Sequence, residues 1–179
     1  MNLEHLPKLS ESLAAHGLGA KKSFGQHFLL DLNVTRKIAR VAAPLDGRVV
    51  VEVGPGPGGL TRALLETDAA HVVAVEKDPR FLPLLSELAE AAEGRLTIVE
   101  ADALKVDETA LAAAAAPGRP WVVAANLPYN VGTPLLVKWL LRPEPPEALT
   151  LMFQKEVALR LTATAGASDY GRLGVLIRR

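Results

Sequence analysis

The chain of 179 residues contains no cysteine. Disulfides, thiolate nucleophiles and cysteine-ligated metals are thereby removed, and no metal site is expected. Long apolar runs are also missing. The longest, around Leu135 to Leu141, is interrupted by Lys138 and falls well short of the ~20 residues that span a bilayer. The N-terminus lacks the apolar stretch of a secretory signal, so a cytoplasmic protein with no membrane partner is the expectation. Net charge is absent as well, with 20 Lys and Arg against 20 Asp and Glu. What remains is 49% hydrophobic and 22% charged residues, the usage of a globular chain long enough for one domain with a real core. Disordered and fibrous classes are excluded.

The zero net charge conceals a pattern. Residues 1–40 carry six Lys and Arg against three Asp and Glu, residues 41–137 seven against thirteen, and residues 138–179 seven against four. An acidic centre suits a cationic small molecule, and basic flanks suit a polyanion such as RNA.

Short runs rich in Val, Ile and Leu, at Arg48–Val53, His71–Glu76, Leu96–Glu100, Trp121–Ala125 and Ala148–Phe153, read as strands buried on both faces. Helical patterns separate them. Phe81, Leu84, Leu85 and Leu88 recur at helical spacing after Pro79, and Val34, Ile38, Val41 and Ala42 follow a candidate cap at Asp31. Ala112–Ala116 is compatible with helix and is ended by Pro117-Gly118, while Pro143 to Pro146 form a rigid loop. This alternation predicts an α/β fold with a parallel sheet and crossover helices.

Polar residues collect where these strands end. The first strand runs into Gly54-Pro-Gly56-Pro-Gly-Gly59, where the missing Cβ atoms let backbone pass close beneath a ligand. The spacing G-x-G-x-x-G fits a dinucleotide site equally well, and a tight turn that binds nothing remains open. Glu76 ends the second strand, 22 positions after Gly54, where a carboxylate can accept both hydroxyls of a ribose. Asp102 follows the third strand, placed to accept from an adenine amino group. After the fourth come Asn126-Leu127-Pro128-Tyr129. Proline has no N–H and restricts φ, so neighbouring carbonyls are not all absorbed into a ladder. An amide oxygen, a free carbonyl and an aromatic face together suit the amino group and ring of a planar base; a polar turn is the alternative.

At this point the chain resembles a known family. Glu52-Val-Gly-Pro-Gly56, Glu76-Lys-Asp78, Glu100-Ala-Asp102-Ala-Leu104 and Asn126-Leu-Pro-Tyr129 look like the ordered motifs of the ribosomal RNA adenine dimethyltransferases. Phe24-Gly-Gln-His-Phe-Leu29, Gln154-Lys-Glu-Val157 and Tyr170-Gly-Arg-Leu173 resemble that family's outer motifs. The match spans roughly residues 21 to 176.

The resemblance implies a Rossmann-like methyltransferase fold, S-adenosylmethionine as cofactor, and dimethylation of adenines in ribosomal RNA. The substrate would be two adjacent adenines near the 3′ end of the small-subunit rRNA, and the complete protein a monomer. Cofactor contacts would fall on His27, Leu29, Gly54, Gly56, Glu76, Asp102 and Asn126, and catalysis on Asn126, Leu127, Pro128 and Tyr129. His27 stands where the family usually has asparagine. Residues 1–30 would form a helical segment covering cofactor and substrate, and residues 31–179 the methyltransferase domain. Family members continue with further strands and a small helical domain, so a truncated catalytic domain is expected. The alternatives are a non-catalytic RNA-binding or ribosome-assembly module that kept the fold, and a nicotinamide-dependent oxidoreductase.

Overall fold

A computed structural model of the protein describes residues 3–18, 29–127 and 131–177. His27, Pro128 and Tyr129 lie outside the described residues.

Five strands form one sheet: β1 (Val49–Val53), β2 (His71–Glu76), β3 (Leu96–Glu100), β4 (Trp121–Asn126) and β5 (Leu149–Met152). All pairings are parallel and the order is β3-β2-β1-β4-β5. The expected strands are all present, with ends displaced by no more than a residue. The helices between them are α3 (Gly59–Leu65), α4 (Leu82–Ala91), α5 (Glu108–Ala115) and α6 (Gly132–Leu140). Before them come α1 (Leu9–Ala15) and α2 (Leu32–Ala42), and after β5 come α7 (Lys155–Thr162) and α8 (Arg172–Ile177). No described helix is long and apolar enough to cross a membrane.

Strand side chains alternate between the two faces. Val50, Val72, Ala74, Val122 and Ala124 pack against Ala39 of α2, Leu60 and Leu64 of α3, and Leu88 of α4. Val49, Val51, Val53, Val73 and Val123 pack against Ala112 of α5 and Leu135 and Trp139 of α6. The central strands are therefore covered on both sides, which is why they read as continuous apolar runs. By parity Glu52 belongs to the face of Val50, beneath α3. Full burial of each valine contributes about 1.5–3 kcal/mol, and these contributions hold a strand that also carries a carboxyl into the interior.

Helix α2 begins where Asp31 accepts the Asn33 N–H at 2.8 Å, as the sequence predicts. Its buried face only partly follows the apolar stripe: Ile38 and Ala42 pack against the core. Thr35 and Ala39 are inside, whereas Val34 and Val41 are exposed. Small side chains let the helix approach α3 and the sheet closely, and Thr35 can face inward because its hydroxyl donates to Leu32 O at 3.1 Å.

The chain winds outward from β1 to β3 and then returns to β4, so the sheet order reverses between β1 and β4. Ligands of open α/β sheets sit at the carboxyl ends beside such a reversal. The β1–β4 ladder extends from Val49↔Trp121 only to Val51↔Val123, so beyond that point the two strands no longer pair with each other.

Candidate active site at the carboxyl edge of the sheet

The glycine-rich loop leaves β1 while Gly54 N–H still donates to Val75 O on β2 at 2.9 Å. It then turns through Gly56 at φ 54° and Gly58 at φ 87°, left-handed backbone that side-chain-bearing residues adopt only with strain. Gly59 opens α3, where an added Cβ would lie 2.2 Å from the Leu29 carbonyl oxygen. The absence of that carbon lets the Leu29 carbonyl lie directly against the start of α3.

Glu76 is buried at the end of β2. Its Oε2 accepts the Gly56 N–H at 2.9 Å, and its Oε1 accepts the N–H groups of Lys77 and Asp78, each at 2.8 Å. A carboxylate offers about four lone-pair directions, so one on Oε2 remains for a further donor. From its sequence Glu76 is expected to accept both ribose hydroxyls; three N–H donors leave it one lone pair, and the fold makes it the fastening of the glycine loop.

Beside it on β1, Glu52 is enclosed, and burial pushes its carboxyl up to about 8. The Thr61 hydroxyl lowers it somewhat and the charge of Glu76 raises it. Glu52 Oε2 and Thr61 Oγ1 nevertheless lack a partner at hydrogen-bonding geometry. A buried polar atom without a partner costs roughly 1–3 kcal/mol. Sequence reasoning quoted Glu52 only as part of a motif. The signal was there, in a glutamate flanked by valines on a strand buried on both faces.

Asp102 follows β3. Its Oδ2 accepts from Lys77 Nζ at 3.0 Å and its Oδ1 from Leu104 N–H at 3.1 Å. Lys77 first, and then the Leu104 N–H, hold its carboxyl below the usual carboxylate range. Ala101 N–H donates to Glu76 O at 2.9 Å, so the Asp102 turn starts alongside Glu76. Lys77 was not singled out by its sequence, although it ties the two acidic strand ends together.

Asn126 is the last residue of β4, paired in register with Met152 of β5. Leu127 N–H donates to Met152 O at 3.4 Å. The Leu127 side chain is in the core with Phe153, which leaves only its backbone carbonyl for chemistry. An added Cβ on Gly132 would meet the Phe153 ring at 2.9 Å and Leu127 Cβ at 3.4 Å. Gly132 therefore allows α6 to start against Phe153 and Leu127. Among the described residues no cluster of three His, Cys, Asp or Glu could hold a metal.

Glu52, Glu76, Asp102 and Asn126 thus stand at the carboxyl ends of β1, β2, β3 and β4. Their side chains can take donors and a positive charge, and the glycine loop leaves room for a ligand's backbone-proximal part. The chain is 66% identical over 176 residues to the ribosomal RNA small subunit methyltransferase A of Phenylobacterium zucineum (strain HLK1), covering 98% of the chain and 60% of that relative's length. Among solved structures it is similar to a dimethyladenosine transferase from Plasmodium falciparum, with TM-score 0.69 and 30% identity over 85% of this chain and 52% of that one. It is also similar to the 23S rRNA methyltransferase ErmE, with TM-score 0.63 and 32% identity over 84% and 55% of the two chains. The ribosomal RNA adenine dimethylase pattern matches residues 17–178, and the chain belongs to that family.

Proposed function

We propose that the protein transfers methyl groups from S-adenosylmethionine to the exocyclic amino group of adenines in small-subunit ribosomal RNA, two adjacent adenines near its 3′ end. The observation that carries this reading is the row of Glu52, Glu76, Asp102 and Asn126 along the carboxyl edge of four adjacent strands, at the point where the sheet order reverses. The name of the Phenylobacterium relative supports the small-subunit assignment.

The residues present fit the cofactor. Gly54 and Gly56 leave space beside it, the free lone pair of Glu76 suits a ribose hydroxyl, and Asp102 suits the adenine amino group. Leu29, whose carbonyl lies against the start of α3, and His27 are read as further cofactor contacts. When bound, the cofactor supplies a methyl group on a sulfonium, already activated for displacement.

The protein's own contribution is to prepare the target nitrogen. An aromatic amino group is a poor nucleophile because its lone pair is delocalised into the ring. Asn126 Oδ1 and the carbonyl of Leu127 or Pro128 accept its two hydrogens, favouring a pyramidal nitrogen with a directed lone pair. Tyr129 stacks on the extruded base, a contact of about 1–3 kcal/mol on aromatic platforms. Positioning and electrostatics carry most of the rate, and the proton leaves to solvent after transfer. The complete protein acts in the cytoplasm as a monomer.

Radiolabelled methyl transfer to small ribosomal subunits lacking the modification tests this reading. Label in adenine that is lost with Asn126→Ala supports it. Tight binding of the subunit with no label transferred would favour a non-catalytic assembly module.

A further inference from the structure

A buried polar cluster lies between α5 and α6. Glu108, at the start of α5, is fully enclosed. Its carboxylate accepts from Lys138 Nζ at 2.8 Å, Trp139 Nε1 at 3.0 Å and Arg142 Nη1 at 2.8 Å. Arg142 lies over the Trp121 ring and also donates to Asp107 and to Thr109. An ammonium has three protons, and Lys138 places the other two on Ala103 O and Val106 O, each at 2.7 Å.

Those two carbonyls belong to the turn that carries Asp102. The turn's own bonds are few: Leu104 N–H to Asp102 Oδ1 at 3.1 Å and Lys105 N–H to Asp102 O at 2.8 Å. Lys138 grips it from outside, from the helix that begins at Gly132 just after the Asn126 turn. A residue pinned next to Asp102 sets where that carboxylate points, and a hydrogen bond to an adenine amino group is sensitive to tenths of an ångström.

We infer that Lys138 is a positioning residue: it fixes the turn bearing Asp102 from α6, so that the adenine end of the cofactor site is held in register with that helix. The inference rests on the cofactor reading given under Proposed function. It assigns a role to a lysine that touches neither cofactor nor substrate.

A double-mutant cycle tests it. Affinity for S-adenosylhomocysteine is measured by calorimetry for the unmodified chain, Lys138→Gln, Asp102→Ala and the double variant, beside each melting temperature. Lys138→Gln is expected to weaken binding about tenfold when Asp102 is present and hardly at all when it is alanine, because coupled residues are not additive. Equal loss in both backgrounds means a general structural effect and overturns the inference, as does unchanged affinity. If Lys138→Gln does not fold, Lys138→Arg replaces it in the same cycle, with a guanidinium too broad for the three converging acceptors. No binding by the unmodified chain, or none lost with Asp102→Ala, would instead overturn the cofactor reading and the inference with it.

Discussion

The Glu76 carboxylate accepts the Gly56 N–H at 2.9 Å, so the residue ending β2 holds the loop that leaves β1. Glu76→Ala removes the acceptor for three backbone N–H groups and for a ribose hydroxyl. Cofactor binding should weaken by about 1.5–3 kcal/mol, read by calorimetry. An unchanged affinity would leave Glu76 as a loop fastening alone.

Glu52 predicts a pH dependence of stability. Its carboxyl is raised from the ordinary 4.5 to about 8 by burial. Below the lower value both folded and unfolded chains hold the proton and there is no penalty. Between the two values the folded chain keeps the proton that the unfolded chain releases, so stability falls as pH rises, by about 1.4 kcal/mol per unit at most. Above the upper value the loss levels off. Thermal melts across this window should show a steeper decline for the unmodified chain than for Glu52→Gln, and parallel curves would contradict the assignment.

Gly59→Ala sets two effects against each other. Alanine in a helix gains up to about 1 kcal/mol over glycine, but its Cβ would lie 2.2 Å from the Leu29 carbonyl oxygen. Overlap with backbone cannot be relieved by a rotamer change, and overpacking of this kind costs about 1–3 kcal/mol. A lower denaturation midpoint together with weaker cofactor binding is expected. A rise in the midpoint would show that the Leu29 segment does not need this contact.

Gly132→Ala should act on chemistry more than on cofactor affinity. The new carbon would meet the Phe153 ring at 2.9 Å and displace the start of α6, to which the Asn126 turn leads. Methyl transfer is expected to fall about tenfold or more with little change in cofactor affinity. The smaller side chain of Phe153→Leu should restore part of the rate in the double variant; failure to do so would mean the ring is not what the new carbon meets.

The strands were legible because burial on both faces selects unbroken runs of Val and Ala, as in β1 and β4. The glycine loop and the acidic strand ends were legible because each is a local pattern tied to a strand terminus. Even the Asp31 cap could be read directly. The face of α2 was legible only in part: Ile38 and Ala42 pack on the core, but Val34 and Val41 are exposed while Thr35 and Ala39 are buried, because close approach to α3 favours small side chains. Nor did the sequence separate the Leu127 carbonyl from its side chain, which the core takes.

By itself, then, the sequence determined the order of strands and helices along the chain, the family motifs and the placing of Glu76, Asp102 and Asn126 at strand ends. Only the tertiary structure decided that Glu76 fastens Gly56 20 residues away, that Glu52 is left without a partner for one oxygen, and that Lys138 grips Ala103 35 residues away. The reason is physical. Periodicity and turn chemistry act over a few neighbouring residues, whereas desolvation and the pairing of buried charges depend on which distant segments the packed sheet brings together.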